Sequence, residues 1–434
     1  MRHISEKFRK NLNNISFPQK PKILLAVSGG VDSMVLCDLF LKSEMDFSVA
    51  HCNFQLRGND SDVDEKFVEN YCSANKIEFY SKKFDVQKFK NSGNYSTQMA
   101  ARELRYNWFL ELMNANKFDF LATAHHLNDS LETFLINLAR GTGIDGLTGI
   151  GLQQNEIIRP LYNFSKKEIL DYAEKKQIRW REDSSNAENN YVRNKIRNQI
   201  VPVLDAIHPE FLQNFSKTLE LANENKALIS QIIAEKKKDL FELKNNAIYI
   251  SIDELLKLKP LSSYLFYFFK PYGFHHPKET EKLMRSGNNG EICSKSHRLI
   301  KNREELILTA SGAIEPSGEI IIGGEIVMEN PLSLKISKSK AKDENAAEVL
   351  DEAKIRFPLK LRKPKTGDVF HPIGLNGSKK LSKFFKDEKY SKLDKENAWL
   401  LTDNEGRILY LIGKRIDERF KVTEHTQKFL NIYL

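Results

Sequence analysis

Short apolar runs alternate with longer amphipathic stretches along the first half of the chain. The runs have the length of buried strands, and the stretches between them repeat apolar residues every three to four positions. Strands are predicted at Ile23–Val27, Phe47–His51, Ile77–Ser81 and Phe118–Ala124, and helices at residues 33–43, 61–75, 97–115, 128–139 and 165–176. This alternation indicates an α/β fold with a doubly wound parallel sheet, in which ligands bind at the carboxyl ends of the strands.

The hydrophobic pattern changes after residue 205. One long helix is predicted from Pro209 to about Lys238, followed by helices mixed with short strands at Ala247–Ile252 and Glu305–Thr309. This part is expected to form a mostly helical middle domain.

The C-terminal part begins after a polar, charged stretch, Lys335–Asn345, which favours a linker. Strands then recur at Trp399–Thr402 and Ile408–Ile412, which indicates a small α+β domain. The expected domains are therefore a catalytic domain at 1–205, a linker helix with the middle domain at 206–345, and a C-terminal domain at 355–434.

Charge is unevenly distributed along the 434 residues, although the composition (41% hydrophobic, 29% charged) is that of an ordinary globular protein. Residues 355–434 hold 18 Lys or Arg against 10 Asp or Glu, a net charge of +8. Residues 1–205 hold 28 against 26, a net charge of +2. A basic C-terminal domain indicates a polyanionic partner, most simply a nucleic acid, and the alternative is a lysine-rich solubilising surface.

The cysteines exclude some classes of protein. They form no Cys-x-x-Cys pair, which argues against structural zinc and a disulfide framework and fits a reducing cytoplasm. No apolar run approaches the roughly 18 to 20 residues that span a bilayer, and the N-terminal stretch lacks the apolar core of a secretory signal. We expect a cytoplasmic protein with no membrane partner.

Ser28-Gly29-Gly30-Val31-Asp32-Ser33 joins the first predicted strand to the first predicted helix. Unpaired N–H groups at the start of a helix carry the positive end of its dipole, and glycines let a ligand approach the backbone. The two serine hydroxyls add donors. The stretch therefore predicts an anion nest for a phosphate or diphosphate. The motif is neither a Walker sequence nor Gly-x-Gly-x-x-Gly. The alternative to an anion nest is an ordinary glycine turn after a strand.

Polar residues also follow the second and fourth predicted strands. His51 offers a side-chain hydrogen bond at a strand end, although a histidine there is more often structural. His125, Asp129 and Glu132 recur at i, i+4 and i+7, which places them on one face of a helix if that helix starts at or before His125. This stripe fits a cationic substrate better than zinc, because two carboxylates without a third ligand make a weak zinc site. A solvated helix face is the alternative.

Several arginines recur at helical spacing. Arg102 and Arg105 share one predicted helix face, and Arg193 and Arg197 share another, where they could meet phosphates. On spacing alone, Arg102 and Arg105 form a solvated pair. The stretch that follows Arg140 contains a literal Gly-x-Gly-x-x-Gly, but it follows a helix instead of a strand, so we interpret it as a flexible loop near the nucleotide.

Together these motifs resemble the tRNA(Ile)-lysidine synthetase family, a branch of the PP-loop ATP pyrophosphatases. The resemblance rests on Ser28–Ser33, His51-x-Asn53-x-x-Leu56-Arg57, Ala100-Ala101-Arg102-x-x-Arg105-Tyr106, His125-His126-x-x-Asp129-x-x-Glu132-Thr133, Arg140-Gly141-x-Gly143, Arg159-Pro160-Leu161, Trp180-x-x-Asp183-x-Ser185-Asn186 and Arg193-Asn194-x-x-Arg197. The C-terminal domain is similar to the family's tail at Leu361–Asp368, Gly374, Lys379–Leu381 and Gly413–Asp417, and the middle domain matches loosely. Ser130-Leu131 departs from the family's usual Gln-Ala and leaves Asp129 and Glu132 intact.

The resemblance implies a reaction. ATP would adenylate O2 of the wobble cytidine in the tRNA(Ile) with a CAU anticodon. The amine of free L-lysine would then attack C2, releasing AMP and forming lysidine, which changes codon reading from AUG to AUA. ATP is the implied cofactor, with Mg²⁺ held through its phosphates and Asp32 and no dedicated metal site. The only protein partner left open is a second copy of the chain.

The resemblance also implies roles for individual residues. The catalytic residues would be Asp32, Arg105, Asp129, Glu132 and Arg197. ATP would contact Ser28, Gly29, Gly30, Val31, Asp32, Ser33, His51, Arg140 and Gly141. Lysine and cytidine would contact Arg105, His125, Asp129, Glu132, Arg193 and Arg197. The tRNA would contact Arg362, Lys363, Lys379, Lys380 and Arg415.

Three rival functions remain open at this point. A PP-loop tRNA thiolase would need reactive cysteines or an iron–sulfur site, whereas Cys37, Cys52 and Cys72 fall on helix or strand positions without a pair. A PP-loop ligase of small molecules would give no reason for the basic C-terminal domain. A tRNA-binding protein with an inactive nucleotide fold would give no reason for the intact His/Asp/Glu stripe.

Overall fold

The computed structural model describes residues 2–56, 58–91, 93, 95–182, 192–244, 246–312, 318–375 and 377–434, without the side chains of residues 2 and 3. Arg57, Asp183, Ser185 and Asn186 of the sequence motifs lie outside the described residues. The chain forms two compact units, Met1–Ser230 and Gln231–Leu434. Across the described ranges, no helix is long and apolar enough to cross a membrane.

The first unit is built on six strands: β1 (Ile23–Ala26), β2 (Phe47–Asn53), β3 (Phe79–Lys83), β4 (Phe120–Ala122), β5 (Gln153–Gln154) and β6 (Ile157–Ile158). They form one sheet in the order β3-β2-β1-β4-β6-β5, and every pairing is parallel except that of the edge strand β5. The predicted parallel sheet is confirmed. The strand order reverses at β1, so β2 and β4 flank β1 at the switch point where α/β proteins bind ligands.

Helices cover both faces of this sheet. They are α1 (Arg2–Asn13), α2 (Val31–Leu41), α3 (Asn59–Asn75), α4 (Val86–Asn91), α5 (Thr97–Asn116), α6 (Leu127–Ala139), α7 (Lys166–Lys175), α8 (Val192–Lys195), α9 (Val201–Ile207) and α10 (Phe211–Leu240), which continues into the second unit. The central strand shows why two layers form. Ile23 and Leu25 pack with Phe40 in one apolar cluster, whereas Leu24 packs with Trp108 in another, because alternate side chains of a strand point to opposite faces. The doubly wound prediction is therefore confirmed.

The second unit begins with a five-stranded antiparallel sheet. Its strands are β7 (Glu242–Lys244), β8 (Ala247–Ser251), β9 (Glu291–Cys293), β10 (His297–Asn302) and β11 (Glu305–Ala310), in the order β7-β8-β11-β10-β9. Helices α11 (Ile252–Leu256), α12 (Leu261–Phe269) and α13 (Pro277–Arg285) pack on it around Leu265, Phe268 and Phe269. Both short strands predicted here are confirmed, and the helices of this part pack on a sheet that the sequence pattern showed only in those two strands.

The rest of the second unit is mostly strands: β12 (Ile320–Ile322), β13 (Ile326–Met328), β14 (Leu334–Ser339), β15 (Glu348–Asp351), β16 (Leu359–Arg362), β17 (Val369–Phe370), β18 (Lys379–Lys380), β19 (Leu400–Thr402), β20 (Ile408–Leu411), β21 (Arg415–Ile416) and β22 (Phe429–Tyr433). Two short helices, α14 (Leu381–Asp387) and α15 (Lys392–Asn397), complete it. The strands form sheets in the orders β12-β16-β19-β20-β21 and β13-β14-β22-β15, and β17 pairs with β18. The predicted α+β character of this part is confirmed.

The predicted linker at Lys335–Asn345 is wrong for its first five residues, which belong to β14, whereas residues 340–345 connect β14 to β15. Leu334 and Ile336 are buried core residues of β14, which pairs with β22 near the end of the chain. Lysines on the exposed side of the strand, such as Lys335, gave the stretch its polar composition. The sheets also run across the predicted domain start at Ile355, because β12 pairs with β16.

Truncation tests where this fold begins. A chain ending at residue 354 keeps β12 to β15 but loses β16 and β22, so unpaired strand edges are exposed. A chain ending at Gly312 lacks all of these strands. We expect the 354-residue chain to unfold at a lower temperature and to aggregate more than the 312-residue chain, as measured by circular dichroism and light scattering. Equal behaviour would place the start of the C-terminal fold near residue 355.

Candidate active site

The connection from β1 to α2 forms a backbone cradle. Gly29 has a φ of +89°, a left-handed conformation that side chains rarely adopt, and Gly30 is the N-cap of α2. Ser33 donates from Oγ to the Gly30 carbonyl at 2.9 Å, and the Oγ atoms of Ser28 and Ser33 lie 3.4 Å apart. The Arg181 N–H holds the Gly29 carbonyl at 3.0 Å from outside the motif. The sequence thus folds into the nest geometry that phosphates favour.

A cavity of about 250 Å³ opens beside this nest, at the carboxyl ends of β1, β2 and β4. It brings together seven of the residues proposed from the sequence: Ser28, Gly30, Asp32, Ser33, Arg105, His125 and Asp129. Its lining also includes residues that sequence reasoning did not single out, namely Cys52, Phe54 and Thr123. Strand alternation accounts for Cys52, since positions 50 and 52 of β2 face the cavity.

Asp32, in the first turn of α2, has a partner that the sequence did not reveal. Lys166, the first residue of α7, places Nζ 2.6 Å from Asp32 Oδ1. Nε2 of the buried His126 lies 3.7 Å from the same oxygen and 3.6 Å from Asp129 Oδ2. A sequence signal for this contact is the position of Lys166 at the start of a helix. A cation is disfavoured there unless an anion lies nearby.

Asp129 lies in the first turn of α6, and its Oδ2 accepts the His126 backbone N–H at 3.0 Å. Burial by itself would raise the pKa of Asp129, but His126, His125 and this backbone hydrogen bond outweigh it and lower the pKa below its ordinary value. Asp129 is therefore an ionised carboxylate at neutral pH that faces the cavity.

His125 is held in place by a 2.8 Å hydrogen bond between its Nδ1 and Thr123 Oγ1. Burial lowers the pKa of His125 to about 4, since the neighbouring Asp129 offsets only part of the desolvation. The imidazole is therefore neutral at pH 7. Next to the carboxylate of Asp129, His125 contributes a polar ring to the cavity without adding a positive charge.

Glu132 does not face the cavity as a free carboxylate. Its side chain is 1% exposed and is clamped by two arginines, with Arg193 Nε at 2.8 Å and Arg197 Nε at 2.6 Å. Arg197 also reaches Asp129 Oδ1 with Nη2 at 3.4 Å. The predicted three-residue helix face is wrong for His125, which precedes α6, because the helix begins at Leu127. The two carboxylates on the helix differ: Asp129 lines the cavity, and Glu132 positions arginines.

Arg105 projects into the cavity from α5. Its guanidinium lies 5.2 Å from the ring centre of Phe54, a cation–π contact that fixes a positive charge opposite the nest. Arg102, three residues earlier, lies over Tyr106 at 4.8 Å and does not line the cavity.

Comparison with known proteins agrees with this geometry. The PP-loop domain family matches residues 1–204, and the TilS substrate binding domain matches residues 242–311. The tRNA(Ile)-lysidine synthase of Bacteroides thetaiotaomicron is 34% identical over 94% of each chain, and that of Parabacteroides distasonis is 32% identical over 94% of each. The chain belongs to the tRNA(Ile)-lysidine synthase family. That of Bacillus subtilis is 29% identical over 90% of this chain and 89% of its own.

Among solved structures, the U34-tRNA thiolase NcsA from Methanococcus maripaludis aligns over 50% of this chain and 79% of its own. The identity is 20% and the TM-score 0.42, too low to carry an argument. The cysteines of this chain do not suit thiolase chemistry. Burial raises the pKa of Cys52, the one that lines the cavity, to about 12, so it stays a thiol at neutral pH.

Of three further residues that the lysidine synthase resemblance assigns to ATP, His51 lies beside the nest, whereas Arg140 and Gly141 lie farther away. His51 is 3% exposed, burial lowers its pKa, and its Nδ1 pairs with the Val27 carbonyl at 2.9 Å, which positions the strand before Ser28. Arg140 and Gly141 follow the C-terminal end of α6, about 16 Å along the helix axis from Asp129. None of these three residues lines the cavity.

The basic residues assigned to tRNA in the second unit differ in how far the fold already uses their charge. Arg362 is 7% exposed and forms a two-pronged ion pair with Asp368 at 2.8 and 2.9 Å, so its role is structural. Lys363 lies over Trp399, Lys379 pairs with Asp387 at 2.7 Å, and Arg415 lies 3.8 Å from Glu388. Lys380 is exposed beside α14, as are Lys383 and Lys386.

No group of three His, Cys, Asp or Glu residues that could hold a metal ion occurs among the residues the structure describes. Asp32 and Asp129 are separate carboxylates, each with its own cationic neighbour.

The two adjacent glycines of the nest should respond differently to alanine. At Gly29 a Cβ would be strained by φ and would touch Val68 at 3.4 Å, so Gly29→Ala should lower the melting temperature. At Gly30 the nearest atom to a Cβ is Ser28 Oγ at 3.5 Å, an ordinary contact, so Gly30→Ala should fold normally. Gly30→Val should also fold but should lose ATP binding, measured by calorimetry. Normal ATP binding by Gly30→Val would rule out the nest as the phosphate site.

Proposed function

We propose that the chain ligates free L-lysine to C2 of the wobble cytidine of a CAU-anticodon tRNA(Ile), using ATP and passing through an adenylated tRNA. The observation that carries the proposal is one cavity that joins an anion nest to an ionised carboxylate that faces it. The nest suits the phosphates of ATP, and Asp129 suits the ammonium group of lysine. Membership of the lysidine synthase family supports both assignments.

In the first step, cytidine O2 attacks the α-phosphorus of ATP and diphosphate leaves. Backbone N–H groups at Gly30 and Val31 and the hydroxyls of Ser28 and Ser33 would hold the phosphates. Arg105, fixed over Phe54, would stabilise the charge that develops during transfer.

Mg²⁺ fits these residues as a companion of the nucleotide. It is commonly held by one or two carboxylates together with substrate phosphates and water. Asp32 supplies one such carboxylate inside the nest, and it is 30% exposed. When bound, the ion would neutralise charge on the phosphates, and the protein would contribute Asp32 and the backbone donors around it.

In the second step, the lysine amine attacks C2 of the adenylated cytidine and AMP leaves. The ammonium form must be recognised, and the amine must lose a proton before it can attack. Asp129 would bind the ammonium and accept that proton, beside the neutral His125. Arg193 and Arg197, held by Glu132, would stabilise charge on the leaving AMP or hold the cytidine. In this proposal Glu132 positions the two arginines and does not bind lysine, in contrast to the role that the resemblance implied.

The tRNA would be held in part by the exposed lysines around α14, Lys380, Lys383 and Lys386. Such lysines contact phosphates as point charges and add affinity without reading sequence. The cytoplasmic location and a second copy of the chain as partner stay predictions.

Amide substitutions of the two carboxylates should separate their roles. Asp129→Asn should still form adenylated tRNA but should transfer lysine more slowly, by a factor on the order of 10² or more. Glu132→Gln should slow both steps and lower the melting temperature, because two arginines lose their charged partner. Radiolabelled ATP and radiolabelled lysine follow the two steps separately. Glu174→Gln, at an exposed position on α7, is the control. Equal loss of both steps in Asp129→Asn would contradict the lysine assignment.

Neutralising three exposed lysines tests the tRNA surface. A variant with Lys380→Gln, Lys383→Gln and Lys386→Gln should bind tRNA at least about tenfold more weakly. The slope of log affinity against log salt should become shallower by about 2, since fewer counterions are released. The control replaces Lys335, Lys340 and Lys342, which are also exposed. Equal effects of both variants would indicate only general electrostatic attraction.

A further inference from the structure

The ion pair between Lys166 and Asp32 connects the start of α7 to a residue of the nest that lines the cavity. The distance from Nζ to Oδ1 is 2.6 Å, and the two side chains are 37% and 30% exposed. Exposed ion pairs of this kind contribute little to stability. The pair joins residues 134 positions apart, so it depends on the fold instead of on local sequence.

The position of Lys166 is electrostatically unfavourable unless an anion lies nearby. It is the first residue of α7, after the N-cap Ser165, where the helix dipole repels a cation. Its backbone N–H donates to Asn128 Oδ1 at 2.9 Å, which fixes the start of α7 against the start of α6. Asp32 lies in the first turn of α2. Three helix starts thus meet near Asp32, with Asp129 as a second carboxylate at the start of α6. The positive ends of the three helix dipoles favour an incoming anion there.

We propose that Lys166 is a phosphate-binding residue whose ammonium lies on Asp32 until the Mg²⁺ of the nucleotide takes that carboxylate. Lys166 then binds the β- or γ-phosphate, so one cation replaces another on Asp32 and no charge is left unpaired. The inference rests on the proposed use of ATP in the nest and assigns a residue that the sequence motifs did not include.

Binding of a nucleotide that cannot be cleaved between the α and β phosphates tests the assignment. Lys166→Met should weaken binding of α,β-methylene-ATP with Mg²⁺ by about 10- to 100-fold, a range that corresponds to about 1.4 to 2.7 kcal/mol. AMP, which lacks the β- and γ-phosphates, should bind within about twofold of wild type. Lys167→Met is the matched control, because Lys167 is the next residue, carries the same charge and is exposed. Lys166→Arg should keep most of the affinity.

A second background separates phosphate binding from simple neutralisation of Asp32. In Asp32→Asn protein without metal, Lys166→Met should still weaken α,β-methylene-ATP binding about tenfold or more, while Lys167→Met should not. If the loss disappears in that background, Lys166 serves only as the counterion of Asp32 and the proposal is overturned. Equal losses for AMP and for α,β-methylene-ATP would overturn it as well.

Two measurements keep the result interpretable. Thermal unfolding checks that each variant folds, and Lys166→Gln replaces Lys166→Met if the latter does not. If wild-type protein binds no α,β-methylene-ATP at all, it is the proposed function that fails, a result distinct from normal wild-type binding with an unaffected Lys166→Met variant.

Discussion

The buried carboxylate of Glu132 is the interaction on which the arrangement of the candidate site depends. A carboxylate that is 1% exposed needs charged partners, and removing one partner of such a buried group typically costs about 3–5 kcal/mol. Arg193 and Arg197 supply those partners from more than 60 residues away. Their bonds hold α8 and the π-helical turn Ile196–Ile200 against α6. Glu132 makes the shortest contacts of both arginines, and their longer contacts to Asp129 and Thr133 complete the arrangement.

The sequence pattern predicted the α/β unit because buried parallel strands and amphipathic helices leave strong periodic signals. It failed where the signal was one-sided or long-range. Lys335 and its neighbours look like a linker, yet Leu334 and Ile336 pack in a core whose partner strand lies about 90 residues away in sequence. The amino-acid composition reflects the exposed side chains of the strand. Its buried side chains become apparent only from the pairing with β22.

The same limit applies to the site. The motifs predicted that Asp32, Arg105, His125 and Asp129 belong to one site, and all four line the same cavity. The prediction was possible because the carboxyl ends of parallel strands meet at one edge of the sheet. Spacing could not show three contacts of the folded chain. Glu132 forms ion pairs with arginines, His51 forms a hydrogen bond with the Val27 carbonyl, and Lys166 forms an ion pair with Asp32. Each of these contacts joins separate elements, so it depends on how helices pack and not on the local pattern. Whether Arg140 and Gly141 approach ATP stays a prediction.

Part of the positive charge of the C-terminal domain, whose net value is +8, is paired with carboxylates within the fold. Asp403 and Asp417 are fully buried, and Arg407 and Arg419 pair with them at 2.5 and 2.8 Å. With Arg362 on Asp368, three arginines are therefore used within the fold. The exposed excess is carried by lysines, which attract phosphates without the two-pronged geometry of arginine. Such a surface favours contacts to a phosphate backbone, which position a nucleic acid without reading its sequence.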